Sequence, residues 1–180
     1  NMARFNVGIT AAVETDKCNP DWVTACNRMD RVVVPSNHTK QVLENSGDIT
    51  TEIIVIPESF YDCMLDNSNE KVIDLKLNTD FNFLIFGQLT GMNPYSDRKN
   101  TFFALKWLCE EFSDDKNVGI VIKTNSGTNT TLDRKVTSKV IDQILLEVRP
   151  GPYPKVYIVH GALEPEEIQS VYQNKDIKGL

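Results

Sequence analysis

Short runs of β-branched and aromatic residues alternate with helical stretches along the chain, and this alternation limits the possible folds more than any other feature. One run covers residues 81–86, a helical stretch follows over residues 100–112, and a second run covers residues 119–123. No two neighbouring runs are joined by the two-residue turn that marks a β-hairpin. The sequence therefore predicts an α/β class, with Rossmann-like sheets of parallel strands covered by helices.

Two rounds of this alternation are separated by a polar, turn-like stretch. The first round predicts strands at residues 5–12, 31–34 and 52–56, with helices at residues 21–29 and between the N-cap Ser36 and Gly47. The second round predicts strands at residues 81–86, 119–123, 156–159 and 176–180, with helices at residues 100–112, 132–148 and 164–174. We therefore expect one domain over residues 1–60, an interdomain linker over residues 61–80, and a second domain over residues 81–180.

The first two helices of the second round carry apolar residues at helical spacing. In the first, they recur at i, i+3, i+7 and i+10 and lie on one face; these residues are Phe102, Leu105, Cys109 and Phe112. In the second, they recur at every fourth position; these residues are Val136, Val140, Ile144 and Val148.

Charge and cysteine spacing exclude several classes of protein. The formal net charge of −6 argues against a nucleic-acid partner, because such proteins usually carry a basic face. No apolar run approaches the ~20 residues of a transmembrane helix, and nothing resembles a secretion signal. The four cysteines form no C-x-x-C pair, and their scatter favours a reducing compartment. We therefore expect a cytoplasmic protein without a metal site.

The strongest local feature is the loop that follows the strand at residues 81–86. It opens with Gly87 and Gln88 and ends with Arg98 and Lys99, just before a helix. Ligands of open α/β sheets bind at the carboxyl ends of strands, and helix N-termini attract phosphate. The pattern predicts a diphosphate clamp, and a solvated basic turn is the alternative.

Other candidate residues follow neighbouring strands. Lys123 ends the next strand and would add a cation at the same edge, although a solvated lysine fits the pattern too. Glu14 and Asp16 follow the first strand, where carboxylates can orient sugar hydroxyls or transfer protons. The alternative for this segment is a cap for the helix near Asp21. His160 ends a later strand and is either a site residue or a structural one.

Ordered segments across nearly the whole chain resemble one enzyme family. Residues 14–16 (ETD), 20–23 (PDWV), 25–30 (ACNRMD) and 33–37 (VVPSN) are similar to the later part of the N-terminal lobe of group 1 (family 4) glycosyltransferases, which have the GT-B fold. Residues 97–100 (DRKN), 120–124 (IVIKT), 158–161 (IVHG), 164–173 and 176–180 are similar to the first half of the C-terminal lobe. The resemblance implies two Rossmann-like lobes facing a cleft.

The resemblance also implies an activity: transfer of a hexosyl group from a nucleoside diphosphate sugar to a saccharide or other acceptor, with retention of configuration. No metal or other cofactor is implied, because cationic side chains stabilise the departing diphosphate. Lys99 matches the family's diphosphate-binding lysine. Gln88 stands where the family often has arginine, so the charge at that position is missing and Arg98 is the expected substitute. Glu14, Asp16 and His160 become acceptor-side candidates, and no residue is assigned as catalytic.

The same resemblance implies that the chain is an internal fragment of such an enzyme. We expect it to transfer no sugar by itself, and we expect its exposed sheet edges to favour dimerisation. Two other functions fit the pattern: a Rossmann-like module that binds a nucleotide or a partner without catalysis, and a sugar-nucleotide epimerase.

Overall fold

A computed structural model of the chain describes residues 3–65, 71–88, 94–97, 99–149 and 151–180. The chain divides into two compact units, Asn1–Phe60 and Tyr61–Leu180. Each unit contains one sheet, and all the described strand pairs in both sheets are parallel. Together with the helices between the strands, this arrangement confirms the predicted α/β class with Rossmann-like parallel sheets.

The first unit contains three short strands and two helices. The sheet has the order β1-β2-β3, and Val32, Val34 and Leu43 are buried in its core. Asn19 caps the first helix and Ser36 caps the second, each through a side-chain oxygen that accepts a backbone N–H. The elements are β1 (Val7–Ile9), α1 (Pro20–Cys26), β2 (Arg31–Val34), α2 (Asn37–Ser46) and β3 (Ile53–Val55).

The second unit is built around a four-stranded sheet. Its order is β6-β5-β4-β7, and every residue of the central strand β5 is buried. Short 3-10 helices lie at Asp62–Leu65 and Pro94–Ser96. The remaining elements are β4 (Phe81–Phe86), α3 (Thr101–Glu111), β5 (Val118–Thr124), α4 (Thr131–Val148), β6 (Lys155–His160), α5 (Pro165–Tyr172) and β7 (Ile177–Gly179).

Helices cover both faces of this sheet. On one face, Ile120 and Ile122 of β5 pack with Leu105 of α3 and Ile141 of α4. On the other face, Leu84 and Val121 pack with Val171 of α5, and three residues of the segment 71–80 extend the same cluster. These three are Ile73, Leu75 and Leu77. The segment that the sequence predicts as part of a linker therefore packs on the second unit.

The apolar residues at every fourth position of α4 do not share one buried face. Val136 is 54% exposed, whereas Thr137 and Ile141 are buried. Each four-residue step advances about 40° around a helix, so residues 136 and 148 lie about 120° apart and cannot share one narrow face. The buried face of α4 is formed by Thr137, Ile141, Leu145 and Val148. In the described part of the chain, no helix is long and apolar enough to span a membrane.

Candidate functional site

A cavity of ≈ 400 Å³ opens at the carboxyl ends of β4 and β5, and we name it the β4–β5 cavity. In parallel sheets this edge is where ligands bind, because loops rather than helices cover it. Four of the residues that the sequence predicts for a diphosphate clamp line the cavity: Gly87, Gln88, Lys99 and Lys123. The other lining residues are Phe86, Thr124 and Asn125.

The turn after β4 brings the backbone close to α3. A Cβ atom at Gly87 would lie 2.5 Å from Oγ1 of Thr101, so a larger residue there would push α3 away. The Gly87 N–H donates to the Lys123 carbonyl oxygen at 3.1 Å. The Thr101 hydroxyl donates to the Gln88 carbonyl oxygen at 3.3 Å. These contacts hold Gly87 and Gln88, which line the cavity, against both β5 and α3.

Asp97 caps the N-terminus of α3 from a position three residues before the helical cap residue Asn100. Its Oδ2 accepts the Thr101 N–H at 2.8 Å, and its Oδ1 accepts the Lys99 N–H at 3.2 Å. Asn100 has a φ of 55° and makes no side-chain cap. The sequence reasoning missed this role, although an aspartate shortly before a helix is a general signal for capping. A carboxylate therefore already occupies part of the helix end that was expected to attract phosphate.

Lys123 is buried, since the residue is only 7% exposed, so the alternative of a solvated lysine is wrong. Its ammonium group donates to Oδ1 of Asn125 at 2.5 Å and to the Gly161 carbonyl oxygen at 2.8 Å. Burial lowers the pKa of Lys123 below the ordinary lysine value, because the charged form loses hydration. Lys99 differs, since its side chain is exposed at the rim of the same cavity.

His160 lies at the end of β6, outside the group of residues that line the cavity. It is half-buried, and its Nε2 lies 3.3 Å from the Ser126 hydroxyl, which also lies 2.8 Å from the Thr137 hydroxyl. The next residue, Gly161, has a φ of 115° and directs its carbonyl oxygen to Lys123. His160 therefore directly precedes the residue that positions Lys123, and its own ring faces Ser126.

The two candidate carboxylates of the first unit lie in an exposed loop. Glu14 and Asp16 are both exposed, between β1 and α1. The alternative that this segment caps the helix is wrong, because Asn19 accepts the Asp21 N–H at 2.9 Å. A separate cavity of ≈ 340 Å³ in this unit is lined mainly by apolar side chains, including Ile9, Trp22 and Met29.

Arg98, the predicted substitute for an arginine at position 88, lies outside the described residues. Among the residues that are described, no group of His, Cys, Asp and Glu side chains is arranged to hold a metal ion. The polar groups that line the β4–β5 cavity are those of two lysines, two amide side chains, one threonine hydroxyl and the backbone. Ammonium, amide and backbone N–H groups are hydrogen-bond donors, so they can hold an anion.

Comparisons with family models and with curated proteins find no relative of this chain. No protein-family model matches the chain, and no curated protein matches it. The residues and the geometry of the β4–β5 cavity are therefore the basis for any functional assignment.

Proposed function

We propose that the chain handles the nucleotide-sugar side of a glycosyl transfer reaction, with the β4–β5 cavity as the diphosphate site. The single observation that supports this most is the convergence of Lys99 and Lys123 on one cavity at the carboxyl ends of two parallel strands. Gly87 and Gln88 complete the same wall. Two cations beside a backbone that a ligand can approach closely suit a diphosphate.

Departure of a nucleoside diphosphate builds negative charge on its terminal phosphate. Two lysines placed before the reaction stabilise that charge without a metal ion, and such electrostatic stabilisation contributes about 10²–10³ in rate for a single donor. The reaction proposed is transfer of a hexosyl group, with retention of configuration, to a saccharide or other acceptor. Glu14 and Asp16 of the first unit are the proposed acceptor-side residues.

The proposed setting is the cytoplasm, where nucleotide sugars are available as donors. All four cysteines are free thiols, as a reducing compartment requires. Burial raises the pKa of the Cys109 thiol to about 11, which leaves it protonated and unreactive at neutral pH. None of the cysteines lines the β4–β5 cavity, so the proposed chemistry does not involve a thiol.

Calorimetry with UDP, GDP and their parent nucleosides tests the binding part of the proposal. We expect both diphosphates to bind the 180-residue chain and both nucleosides to bind at least ~10-fold more weakly, because the charged contacts would be lost. Equal binding of nucleosides and diphosphates would contradict a diphosphate site.

A second assay tests catalysis and separates the proposal from a non-catalytic binding module. The protein is incubated with UDP- and GDP-sugars and a panel of acceptors, and released nucleoside diphosphate is measured. We expect Lys123→Met to lower kcat/KM by about 100-fold, because it removes a buried charged donor. Diphosphate binding without release of UDP or GDP from any donor would favour the binding module.

A further inference from the structure

We infer that Lys123 is the main anion-binding group of the β4–β5 cavity, and that it supplies from within the sheet the positive charge that Gln88 does not supply at the rim. This inference rests on the proposed diphosphate site, and it ranks Lys123 above Lys99 by contribution to anion affinity. Lys123 binds the anion, while Asn125 and Gly161 are positioning residues because they hold its ammonium group.

The ammonium group of Lys123 is fixed in place. An ammonium has three N–H donors, and two of them donate to Asn125 and Gly161. The third has no acceptor among the residues that the structure describes. Because Lys123 also lines the cavity, a phosphate oxygen can accept this remaining N–H while the other two bonds persist.

The charge of Lys123 has no counter-charge in the described part of the chain. The cations that are seen in ion pairs lie at the surface, where hydration already stabilises them. These pairs are Arg31 with Glu52, Lys40 with Glu44, Lys71 with Glu166, and Lys106 with Glu110. Lys123 is far more buried than these cations and forms no ion pair with any residue that the structure describes. An unpaired charge is costly away from water, so packing alone gives no reason for a lysine here. An anionic ligand would provide the missing counter-charge.

Burial also makes this charge more effective than that of Lys99. Interaction between two charges strengthens as the surrounding dielectric constant falls, and salt screens exposed charges most. Lys99 is exposed, and its backbone N–H is bonded to the carboxylate of Asp97. The buried lysine should therefore contribute more to anion affinity than the exposed one, and its contribution should resist added salt.

The test is calorimetry of inorganic pyrophosphate with the 180-residue chain and three variants. Lys123→Met should weaken binding at least ~10-fold, because a hydrogen bond to a charged group is lost. Lys99→Met should weaken it about threefold, as for an exposed charge pair. Lys139→Met is the matched control, since Lys139 is an exposed lysine on α4, and it should leave the affinity unchanged.

Two further variants keep the test informative if Lys123→Met unfolds. Asn125→Asp places a carboxylate beside the ammonium group of Lys123, so it should weaken pyrophosphate binding about 10-fold without lowering Tm. Gln88→Arg restores a cation at the cavity and should recover affinity in the Lys123→Met background, if that variant folds.

The outcomes separate the two claims. A folded Lys123→Met or Asn125→Asp variant that binds pyrophosphate like the original chain would overturn the inference. A larger loss from Lys99→Met than from Lys123→Met would overturn it as well, and the proposed diphosphate site would stand in both cases. If the unmodified chain binds neither pyrophosphate nor UDP or GDP, both the site and the inference are overturned.

Discussion

The two units end their parallel sheets in different ways. In the first unit, the loop after β1 carries Glu14 and Asp16 at the surface. In the second unit, residues that follow β4 and β5 line a cavity, and its cation Lys123 donates to Gly161 and Asn125. A charge held by several elements has a defined position before a ligand arrives, whereas an exposed charge must be ordered by the ligand. The second unit is therefore the better candidate for a preorganised site.

The largest expected difference between the units is the loss of stability when one glycine in each sheet is replaced by alanine. A Cβ at Gly119 would lie 2.1 Å from Oδ1 of Asn82 and 2.5 Å from Oγ1 of Thr79, two atoms of a buried hydrogen bond. A Cβ at Gly8 would come closest to the flexible side chain of Met29, at 3.2 Å, and its other neighbours would lie at 3.6 Å or more. Gly119→Ala should lower the free energy of unfolding by about 3 kcal/mol, and Gly8→Ala should change it by less than about 0.5 kcal/mol.

The two tryptophans make this comparison measurable, because each unit contains one of them. Trp22 belongs to the first unit and Trp107 to the second. Urea unfolding of Trp22→Phe and Trp107→Phe backgrounds follows the second and first units separately. Equal effects of Gly119→Ala and Gly8→Ala would show that the close approach at Gly119 does not restrict the second sheet.

A smaller effect is expected from Asp97, whose carboxylate stabilises α3 but stands near the proposed anion site. Asp97→Asn keeps the shape of the side chain and removes its charge. It should lower the free energy of unfolding by about 1 kcal/mol, as for a weakened helix cap. It should also strengthen pyrophosphate binding about threefold, because a nearby negative charge is removed.

Ser36→Ala is the matched control in the first unit, since Ser36 caps α2 there. It should cost about as much stability as Asp97→Asn and leave pyrophosphate affinity unchanged. A fall in affinity for Asp97→Asn would mean that the carboxylate supports the site more than it repels the ligand.

The pH dependence of stability should also distinguish the second unit. Burial lowers the pKa of folded Lys123, so the unfolded chain holds this proton to higher pH than the folded chain does. Stability associated with Lys123 is therefore lowest below the folded pKa, and it recovers as pH rises towards the ordinary value of 10.5. The Tm of the original chain should rise relative to that of Lys123→Met between pH 7 and pH 10. A constant difference would contradict this.

The smallest effects are expected in the first unit. Glu14→Gln and Asp16→Asn change exposed side chains, so each should alter the free energy of unfolding by less than about 0.5 kcal/mol. Neither should change pyrophosphate affinity, which calorimetry checks alongside the variants of the β4–β5 cavity. A loss of affinity similar to that of Lys99→Met would show that the first unit contributes to anion binding.

Much of the fold could be predicted because local signals mark the ends of its elements. The predicted bounds of β2 and β4 agree with the structure, since Pro35 closes one strand and Gly87 closes the other. Ser36 was likewise identified as the cap of α2. The buried face of α4 was not predicted, because it depends on how a long helix rotates against the sheet.

The candidate site could be predicted only in part. Gly87, Gln88, Lys99 and Lys123 could be placed at one edge, because parallel strands bring their carboxyl ends together. The burial of Lys123 could not be predicted, because it depends on Gly161, which lies 38 positions further along the chain. The capping role of Asp97 could not be predicted, because Asn100 is also a capping residue type and lies nearer to α3 in the sequence. Asn100 has a left-handed backbone conformation and makes no side-chain cap.

The most direct test of the account is an amide NMR titration of the 180-residue chain with pyrophosphate. We expect the amides of Gly87, Gln88, Lys99, Asn125 and Gly161 to shift with one common Kd, near or below about 1 mM for a small charged ligand. The amides of the first unit, including those of Glu14 and Asp16, should remain unchanged. The proposed anion site would be contradicted if the largest shifts occurred in the loop after β1, or if no amide around the β4–β5 cavity shifted.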